Sequence, residues 1–309
     1  MTSVMDSVNQ RTQLVGQNRL ELLLFRLAGT QLYGINVFKV REVLPCPPLT
    51  ALPHANPVVR GVASVRGTTV PIIDLALATG RPEKTDLKQS FVIISEYNTR
   101  VQGFLVARVE RIVNLNWEEV LPPPPGSGHD HYLTAVTRVN EQLVEIIDVE
   151  KVFAQVMPSD ERVDEGVIDE QVRDGARGRK IMIVDDSSVA RKQLSRVLED
   201  IGVELLVLKD GRAAYNHLHN MIKQGQDPAS EFAMLISDIE MPEMDGYTLT
   251  AEIRSNPALK DMYVMLHTSL SGVFNQAMVE KVGANEFLAK FKPNELAEKV
   301  IARLRSLHN

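Results

Sequence analysis

The stretch 181–186, Ile-Met-Ile-Val-Asp-Asp, places two adjacent carboxylates directly after four apolar residues. Three later apolar runs also end in a reactive polar residue: Asp238 follows Met-Leu-Ile-Ser, Thr268 follows Met-Leu-His, and Lys290 follows Phe-Leu-Ala. Short buried strands with such ends converge on the carboxyl edge of a parallel sheet. We therefore expect three carboxylates, a hydroxyl and an ammonium group to meet at one edge.

The segments between these runs have a helical period. Ser187 or Ser188 caps a helix that Gly202 ends, and 294–307 forms a closing amphipathic helix. Strand and helix alternate five times from 179 to 309. This pattern predicts an α/β domain with a doubly wound, five-stranded parallel sheet of the flavodoxin-like type.

The first half of the chain has the period of β-strands. Many short apolar runs are separated by turn residues, which predicts an all-β domain built of small barrels or a sandwich. The expected strands are 22–27, 32–37, 61–65, 69–73, 90–95, 102–109, 133–139 and 143–148. The stretch 36–44 is ambiguous between a strand and a short helix.

Composition limits the class of protein. The chain has 309 residues, a net charge of −6 and one cysteine, Cys46. It has no basic tract that would indicate nucleic-acid binding and no apolar run near the roughly 18 residues of a membrane span. We expect a cytoplasmic protein with two domains, which does not bind nucleic acid or insert into a membrane.

The domain boundaries follow from composition. Residues 1–17 are expected to be a flexible N-terminus, and 18–157 and 179–309 the two domains. The stretch 158–178 between them carries seven acidic and three basic residues, which indicates a solvated acidic linker with room for a short helix at 167–172. The sequence His129-Asp130-His131 is interpreted as a loop, because its spacing matches no common metal-ligand pattern.

The chemistry of the acidic edge follows from charge. Asp185, Asp186 and Asp238 offer hard oxygen ligands that suit Mg2+. With the metal shielding the charge, Asp238 would attack a phosphorus atom and become an acyl phosphate. Lys290 would then pair with one phosphoryl oxygen, and the Thr268 hydroxyl would donate to another. Exposed turn residues would explain either acid alone, but not the whole set at successive strand ends.

Three blocks of the first half resemble the CheW family of chemotaxis coupling proteins. They are 33–37 (Tyr-Gly-Ile-Asn-Val), 40–43 (Val-Arg-Glu-Val) and 65–75 (Val-Arg-Gly-Thr-Thr-Val-Pro-Ile-Ile-Asp-Leu). The resemblance implies two β-barrel subdomains. It also implies binding to the tip of methyl-accepting receptors and to the regulatory domain of the histidine kinase CheA.

Four residues of these blocks are candidates for partner binding. Val37 and Val40 fit either an apolar patch that contacts the kinase or the core of the domain. Glu42 and Arg66 fit an ordinary ion pair, and the planar fork of an arginine can also organise a binding groove. For this pair we favour a combined role.

The second half resembles the receiver domains of response regulators. The resemblance is carried by Val-Asp-Asp-Ser at 184–187, by 237–246, by His-Thr-Ser at 267–269, and by Gly283-Ala284 leading to Lys290. It implies that Asp238 is the phosphoacceptor and that Asp185 and Asp186 are the acidic pair. The backbone carbonyl of Glu240 would complete the Mg2+ sphere.

The same resemblance implies a switch. Thr268 would move with phosphorylation, and Phe287 stands where the family has a rotating aromatic, although a half-buried strand residue fits this position equally well. The chain departs from the family after Lys290, because Phe291 and Lys292 precede Pro293. The stretch 216–231 is also longer than the family's usual connection.

The two resemblances, in this order, are those of CheV-type chemotaxis coupling proteins. They imply an adaptor, not a metabolic enzyme, whose coupling of receptors to CheA is regulated at Asp238 and which is recruited to receptor arrays at the membrane. Two alternatives remain. The receiver could act as a phosphate sink for CheA, or the chain could be a haloacid-dehalogenase-type phosphatase. The second is disfavoured because Glu240 stands where that family needs an aspartate, and its Gly-Thr is missing.

Overall fold

The computed structural model describes residues 19–27, 29–81, 85–97, 100–123, 132–157, 162–164, 166–241, 243–268, 273–289 and 291–307. They divide into two compact units: one formed by the described residues up to 157, the other by those from 162. No helix in these ranges is both long enough and apolar enough to cross a membrane.

The first unit contains two five-stranded sheets. Its strands are β1 Arg19–Arg26, β2 Leu32–Asn36, β3 Glu42–Pro45, β4 Val59–Val65, β5 Thr68–Asp74, β6 Phe91–Tyr97, β7 Arg100–Val106, β8 Arg108–Asn116, β9 Leu133–Val139 and β10 Gln142–Ile147. The first sheet has the order β8-β1-β2-β10-β9, and the second has the order β3-β6-β7-β5-β4. Two short helices, α1 Leu75–Ala78 and α2 Val149–Val156, follow β5 and β10.

Each sheet curls until the chain beyond one edge strand reaches the other edge. Leu121, which follows β8, pairs with Val136 of β9 through two backbone hydrogen bonds of 2.8 Å. Thr50, which follows β3, pairs in the same way with Val62 of β4. Gly61 makes this second closure possible, since a Cβ there would lie 2.4 Å from the carbonyl oxygen of Thr50. The expected small barrels are therefore present.

Alternation fills each barrel from its own strands, because every second side chain of a strand points inward. The first core contains Leu20, Leu22 and Leu24 of β1, packed with residues of β2 and β10. The second core contains residues of β4 to β7, with Val70, Ile72 and Val92 fully buried. The ambiguous stretch 36–44 is a 3-10 helix at Val37–Lys39 followed by β3.

The second unit is an open sheet with helices on both faces. Its strands are β11 Lys180–Val184, β12 Glu204–Leu208, β13 Phe232–Asp238, β14 Val264–Thr268 and β15 Glu286–Ala289. Its helices are α3 Glu170–Ala176, α4 Ser188–Ile201, α5 Gly211–Lys223, α6 Pro228–Glu231, α7 Gly246–Ser255, α8 Val273–Val282 and α9 Pro293–Ser306. The strand order is β12-β11-β13-β14-β15, and every pair is parallel. The predicted doubly wound sheet is confirmed.

Two apolar layers cover this sheet. One lies between the sheet and the helices α3, α4 and α9, and contains Ile181, Ile183, Leu194 and Leu296. The other lies under α5 and α7 and contains Met182, Val184, Leu218 and Leu249. Alternate residues of β11 thus enter opposite layers, as expected for a strand buried on both faces.

Part of the acidic stretch 158–178 packs onto this unit. Asp169 caps α3 by accepting a hydrogen bond from the Val172 backbone amide at 2.8 Å. Val172 and Ala176 are buried in the layer formed with α4 and α9, and Val163, Val167 and Ile168 pack against it. Composition pointed to a solvated tether, but apolar residues at helical spacing give the described part of this stretch a docked face.

Candidate functional site

Three strand ends of the second unit meet at its carboxyl edge. Asp185 follows β11, Asp238 ends β13 and Thr268 ends β14. The register pairs Val184 with Ser237 and Asp238 with His267, so these ends lie side by side. The structure brings the carboxylates of Asp185 and Asp238 together at this edge, and Thr268 ends the neighbouring strand. Lys290 lies outside the described residues.

Asp185 is held by the start of α4. Its side chain is 2% exposed, and its Oδ1 accepts a hydrogen bond from the Ser187 backbone amide at 2.7 Å. The Arg191 guanidinium donates to its backbone carbonyl at 2.6 Å, not to its carboxylate. Ser187 also caps α4 by accepting from the Ala190 amide. One carboxylate oxygen of Asp185 is thus used to set its orientation, and Oδ2 is left for the site.

Asp238 is half-buried, and the chain around its backbone is closely packed. Its carbonyl oxygen accepts a hydrogen bond from the Ser237 hydroxyl at 2.9 Å. The next amide, of Ile239, donates to the His267 carbonyl at 3.0 Å, and the Gly246 amide donates to the Ile239 carbonyl at 2.9 Å. These bonds fix the strand end that presents the carboxylate.

A histidine joins the two carboxylates. His267 Nε2 lies 2.9 Å from Asp185 Oδ2, and one ligand atom each from Asp185, Asp238 and His267 lies within 4.8 Å of the others. Nε2 and Oδ2 are both buried, and neither makes a hydrogen bond because the angle between the two groups is unsuitable. A buried acceptor without a donor is unfavourable, and a bound cation would satisfy it.

Sequence reasoning did not select His267 as a site residue. It counted this histidine in the run that precedes Thr268 and in the His-Thr-Ser block of the resemblance, but gave it no role in the site. The signal was present, because a polar side chain one place before a strand end pairs with Asp238 across the sheet. Since paired residues of neighbouring strands point to the same face, a residue opposite Asp238 was a candidate for the site.

The remaining candidate residues lie around this cluster. Asp186 and Glu240 are half-buried, and each lies two residues after the end of a strand, β11 and β13 respectively. Thr268 is 1% exposed and pairs with Ala289 of β15. Phe287 is half-buried, pairs with Leu266 and packs against the layer under α5 and α7.

A tyrosine lies close to the acidic edge. Tyr247, in the first turn of α7, is 7% exposed, and its hydroxyl makes no hydrogen bond. Burial, together with the negative charges of Glu240 and Asp245, raises the pKa of Tyr247 to about 12. Asp245 caps the same helix by accepting from the Thr248 amide at 2.7 Å.

The donor set determines what the edge can bind. Two carboxylates with oxygens within 4.8 Å of each other favour a divalent cation, and the backbone carbonyl of a nearby residue can add a third oxygen. The orphaned Asp185 Oδ2 and the half-buried Asp238 carboxylate fit such an ion. A metal-bound anion such as a phosphoryl group would then lie next to the Thr268 strand end.

In the first unit, the candidate partner-binding residues surround the 3-10 helix and the β4–β5 turn. Glu42 and Arg66 form a two-point ion pair, with Arg66 Nη2 3.0 Å and Nε 3.1 Å from Glu42 Oε2. The Arg66 side chain is 78% exposed, and its backbone is left-handed, with φ 49°. Val40 is half-buried, whereas Val37 is 5% exposed and belongs to the core.

Comparison with protein families gives two matches that do not overlap. Residues 21–157 match the CheW-like domain, and residues 181–301 match the response regulator receiver domain. The second match contains the carboxylate cluster, and the first contains the Glu42–Arg66 pair.

Several known proteins are similar to this chain. The chemotaxis protein CheV3 of Helicobacter pylori is 29% identical over 296 residues, which are 92% of this chain and 94% of that protein. The chemotaxis protein CheW of Klebsiella aerogenes is 30% identical over 144 residues, 46% of this chain and 84% of that protein. The solved structure of the scaffolding protein TtCheW from Thermoanaerobacter tengcongensis is 27% identical, covers 43% of this chain and 87% of that one, and has a TM-score of 0.40.

Proposed function

This chain belongs to the CheV type of chemotaxis signalling adaptor, a CheW-like domain followed by a receiver domain, and on that basis we propose a phosphorylation-regulated coupling function. The CheW-like domain joins methyl-accepting receptors to the histidine kinase CheA. Phosphorylation of Asp238 in the receiver domain changes the strength of that coupling. The adaptor works in the cytoplasm and is recruited to receptor arrays at the membrane.

The single observation that carries the proposal is the position of Asp238 beside Asp185. Asp238 is half-buried, so its carboxylate remains within reach of a donor, while Asp185 is 1% exposed and fixed by the Ser187 amide. A second carboxylate next to the nucleophile would repel an incoming phosphoryl group unless a cation lies between them. The pair therefore favours phosphoryl transfer over a role as exposed turn residues.

The transfer uses the carboxylate of Asp238 as the nucleophile. An oxygen of Asp238 forms a bond to phosphorus, the bond from phosphorus to the donor's imidazole nitrogen breaks, and the imidazole leaves with a proton. Mg2+ held by Asp185, Asp186, Asp238 and the Glu240 carbonyl would supply charge shielding during this step. The product is an aspartyl phosphate on this chain.

The product would be held by residues of the neighbouring strand ends. Thr268 ends β14 directly after the register partner of Asp238, and its hydroxyl is assigned to donate to one phosphoryl oxygen. Lys290 is assigned to pair with another. Phe287 pairs with Leu266, two residues before Thr268, so a movement of the Thr268 hydroxyl has a short route to this aromatic side chain.

The coupling surface is assigned to the region around Glu42 and Arg66. Their two-point pair holds the Arg66 fork while most of the arginine remains exposed. In the same stretch of chain Val40 is half-buried and Phe38 and Val43 are exposed, so the stretch also offers apolar area. Val37 lies in the core below and is assigned to support this surface from inside.

The test of the phosphoacceptor uses the full chain with Mg2+ and a small phosphodonor such as phosphoramidate. The wild type should gain one phosphoryl group by intact-mass measurement, and Asp238→Asn should gain none. Asp261→Asn, which removes an exposed carboxylate of the same domain, is the matched control and should label like the wild type. Equal labelling of wild type and Asp238→Asn would refute the assignment.

A second measurement separates regulation from a phosphate sink. Reconstituted receptor arrays with CheA and Asp238→Ala should show an altered kinase activity at fixed receptor state if phosphorylation regulates coupling. A pure sink would leave kinase activity unchanged and prolong phosphoryl flow to other regulators. A small-molecule phosphatase would instead release phosphate continuously from a free ester.

A further inference from the structure

His267 is a buried imidazole directed into the carboxylate cluster of the receiver domain. It is 7% exposed, and it lies on β14 directly opposite Asp238. A histidine is seldom buried next to two acids without a hydrogen bond, because its polar nitrogens would then be left unsatisfied. The burial of Nε2 without a hydrogen bond therefore needs an explanation, because the ring nitrogens of an ordinary core histidine are hydrogen-bonded.

The distance between His267 Nε2 and Asp185 Oδ2 indicates a metal site. Nε2 and Oδ2 are 2.9 Å apart, but the angle is unsuitable for a hydrogen bond. Adjacent ligands that are each about 2.1 Å from a six-coordinate ion are themselves about 3.0 Å apart, with their lone pairs converging on the ion. The two atoms have the spacing of neighbouring metal ligands.

The rest of the cluster agrees with this interpretation. Asp185 Oδ1 is already used by the Ser187 amide, so Oδ2 is the oxygen that remains for a ligand bond. The Arg191 guanidinium donates to the backbone carbonyl of Asp185, so this hydrogen bond does not use the carboxylate. Asp238 supplies the third donor within 4.8 Å of the other two.

A nitrogen donor changes which metal is preferred. Mg2+ prefers oxygen ligands, whereas imidazole suits first-row transition metals, whose affinity for mixed nitrogen and oxygen sites rises from Mn2+ through Co2+ to Cu2+. We propose that His267 is a nitrogen ligand of the divalent ion at this site, together with Asp185 and Asp238. The site then selects a transition metal such as Co2+, Ni2+ or Zn2+ over Mg2+.

This inference rests on the metal site assigned under the proposed function, and it is tested by binding to the full chain, with Co2+ and Mg2+ as probes. By titration calorimetry, the wild type should bind Co2+ at least about tenfold more tightly than Mg2+. Removal of a group that supports a metal typically lowers affinity by about 10- to 100-fold, so His267→Leu should reduce the preference for Co2+ by about tenfold or more. Asp185→Asn should weaken both metals.

Two controls keep the result interpretable. His219→Gln removes another imidazole of the same domain, one that accompanies Tyr215 in α5, and should leave Co2+ binding unchanged. If His267→Leu fails to fold, His267→Gln keeps a polar group of similar reach with an oxygen donor and should still lose most of the preference. In the wild type, Co2+ should produce a paramagnetically shifted imidazole N–H resonance that is absent from either His267 variant.

Each outcome is decisive. Unchanged Co2+ affinity in the His267 variants, or no shifted imidazole resonance in the wild type, would overturn the inference and leave His267 as a core histidine next to Asp185. Phosphoryl labelling of the wild type that depends on Asp238 would then still support the proposed function. Loss of that labelling would refute the proposed function, whatever the metal preference.

Discussion

A Cβ added to Gly246 would lie 2.2 Å from the carbonyl oxygen of Asp238. The first residue of α7 and the candidate phosphoacceptor thus touch through their backbones, and only glycine leaves room for this approach. The contact fixes where β13 ends relative to the helix that follows it. This close approach limits where the Asp238 carboxylate can lie, and neither the charges nor the sequence motifs of the site reveal it.

Gly246→Ala should therefore disturb the site directly. The new methyl group must push the Asp238 carbonyl away, and overpacking of this kind costs about 1–3 kcal/mol or more of unfolding free energy. We expect lower stability by urea unfolding and slower phosphoryl labelling. Gly202→Ala is the control: its Cβ meets nothing within 4 Å, so it should cost only the left-handed strain of about 1 kcal/mol and keep the labelling rate. Equal effects of the two variants would contradict the steric explanation.

Tyr247 should make the receiver domain sensitive to alkali. Its pKa is about 12 in the folded protein, against 10 for an ordinary tyrosine, because it is buried beside Glu240 and Asp245. Below pH 10 the hydroxyl is neutral in both the folded and the unfolded state, so stability is unaffected. Between pH 10 and 12 the unfolded state loses this proton first, and folding loses about 2–3 kcal/mol over that window.

The check is to measure the free energy of unfolding of the wild type and of Tyr247→Phe at several pH values between about 9 and 12, the range in which the tyrosine ionises. The variant removes a buried hydroxyl that makes no hydrogen bond, so we expect it to be at least as stable as the wild type near neutral pH. Its stability should fall less steeply above pH 10. Parallel curves for the two proteins would show that Tyr247 ionises normally.

Arg66 should separate coupling from folding. Because the Arg66 side chain is 78% exposed, Arg66→Glu should leave the unfolding midpoint of the first unit almost unchanged. It should nevertheless reduce capture of receptor cytoplasmic fragments and CheA, since the exposed fork is lost and the charge that a partner meets is reversed. The fluorescence of Trp117, the one tryptophan of the chain, reports the folding of this unit.

The swap Glu42→Arg with Arg66→Glu is the matching control for this prediction. It restores an ion pair but reverses the charges that a partner meets. We expect normal stability and no recovery of binding. Full recovery of binding by the swap would show that the pair acts only as a structural ion pair.

Val172 tests whether the docked part of the acidic stretch stabilises the receiver domain. It is 7% exposed, in the layer with α4 and α9. Val172→Ala removes two buried methyl groups, which are worth about 0.8 kcal/mol each plus a cavity contribution, so we expect a loss of about 2 kcal/mol. The loss should appear in the far-ultraviolet circular dichroism transition and not in Trp117 fluorescence. Gln171→Ala, at the exposed neighbouring position, should change neither.

The parallel sheet was the most predictable part of the chain. Its strands end in residues whose chemistry differs from the apolar run before them, and the helices carry caps such as Ser187 and Asp245. The apolar runs that the sequence ends at Asp238 and Thr268 are strands that end at these two residues. Prediction succeeds here because the apolar runs and helix caps are clear local signals, and because strand and helix alternate along the chain.

The β-rich half was less predictable because one chain crosses between two sheets without a turn signal. The expected strand 102–109 is in fact the end of β7 and the start of β8, which lie in different sheets. The crossing occurs at Ala107, whose amide binds the Arg26 carbonyl, and neither glycine nor proline marks it. Pairing with a strand some 80 residues away in the sequence is tertiary information, and β propensity does not contain it.

The site was predictable from its strand ends but not from its interior. Asp185, Asp238 and Thr268 were selected because each follows an apolar run, whereas His267 was hidden inside one. The register that places it opposite Asp238 depends on how β13 and β14 align, and the sequence alone does not fix that alignment.

The docked stretch before β11 also bears on how such fusions recombine during evolution. The receiver match begins at 181, yet the apolar layer of this domain takes in Val163, Val167, Ile168, Val172 and Ala176 from upstream. A crossover at the start of the match would transfer a module with an uncovered face, which promotes aggregation. Exchange of receiver domains between related proteins should therefore succeed when the junction falls before 162. The unit that is exchanged then includes the docked residues upstream of the receiver match.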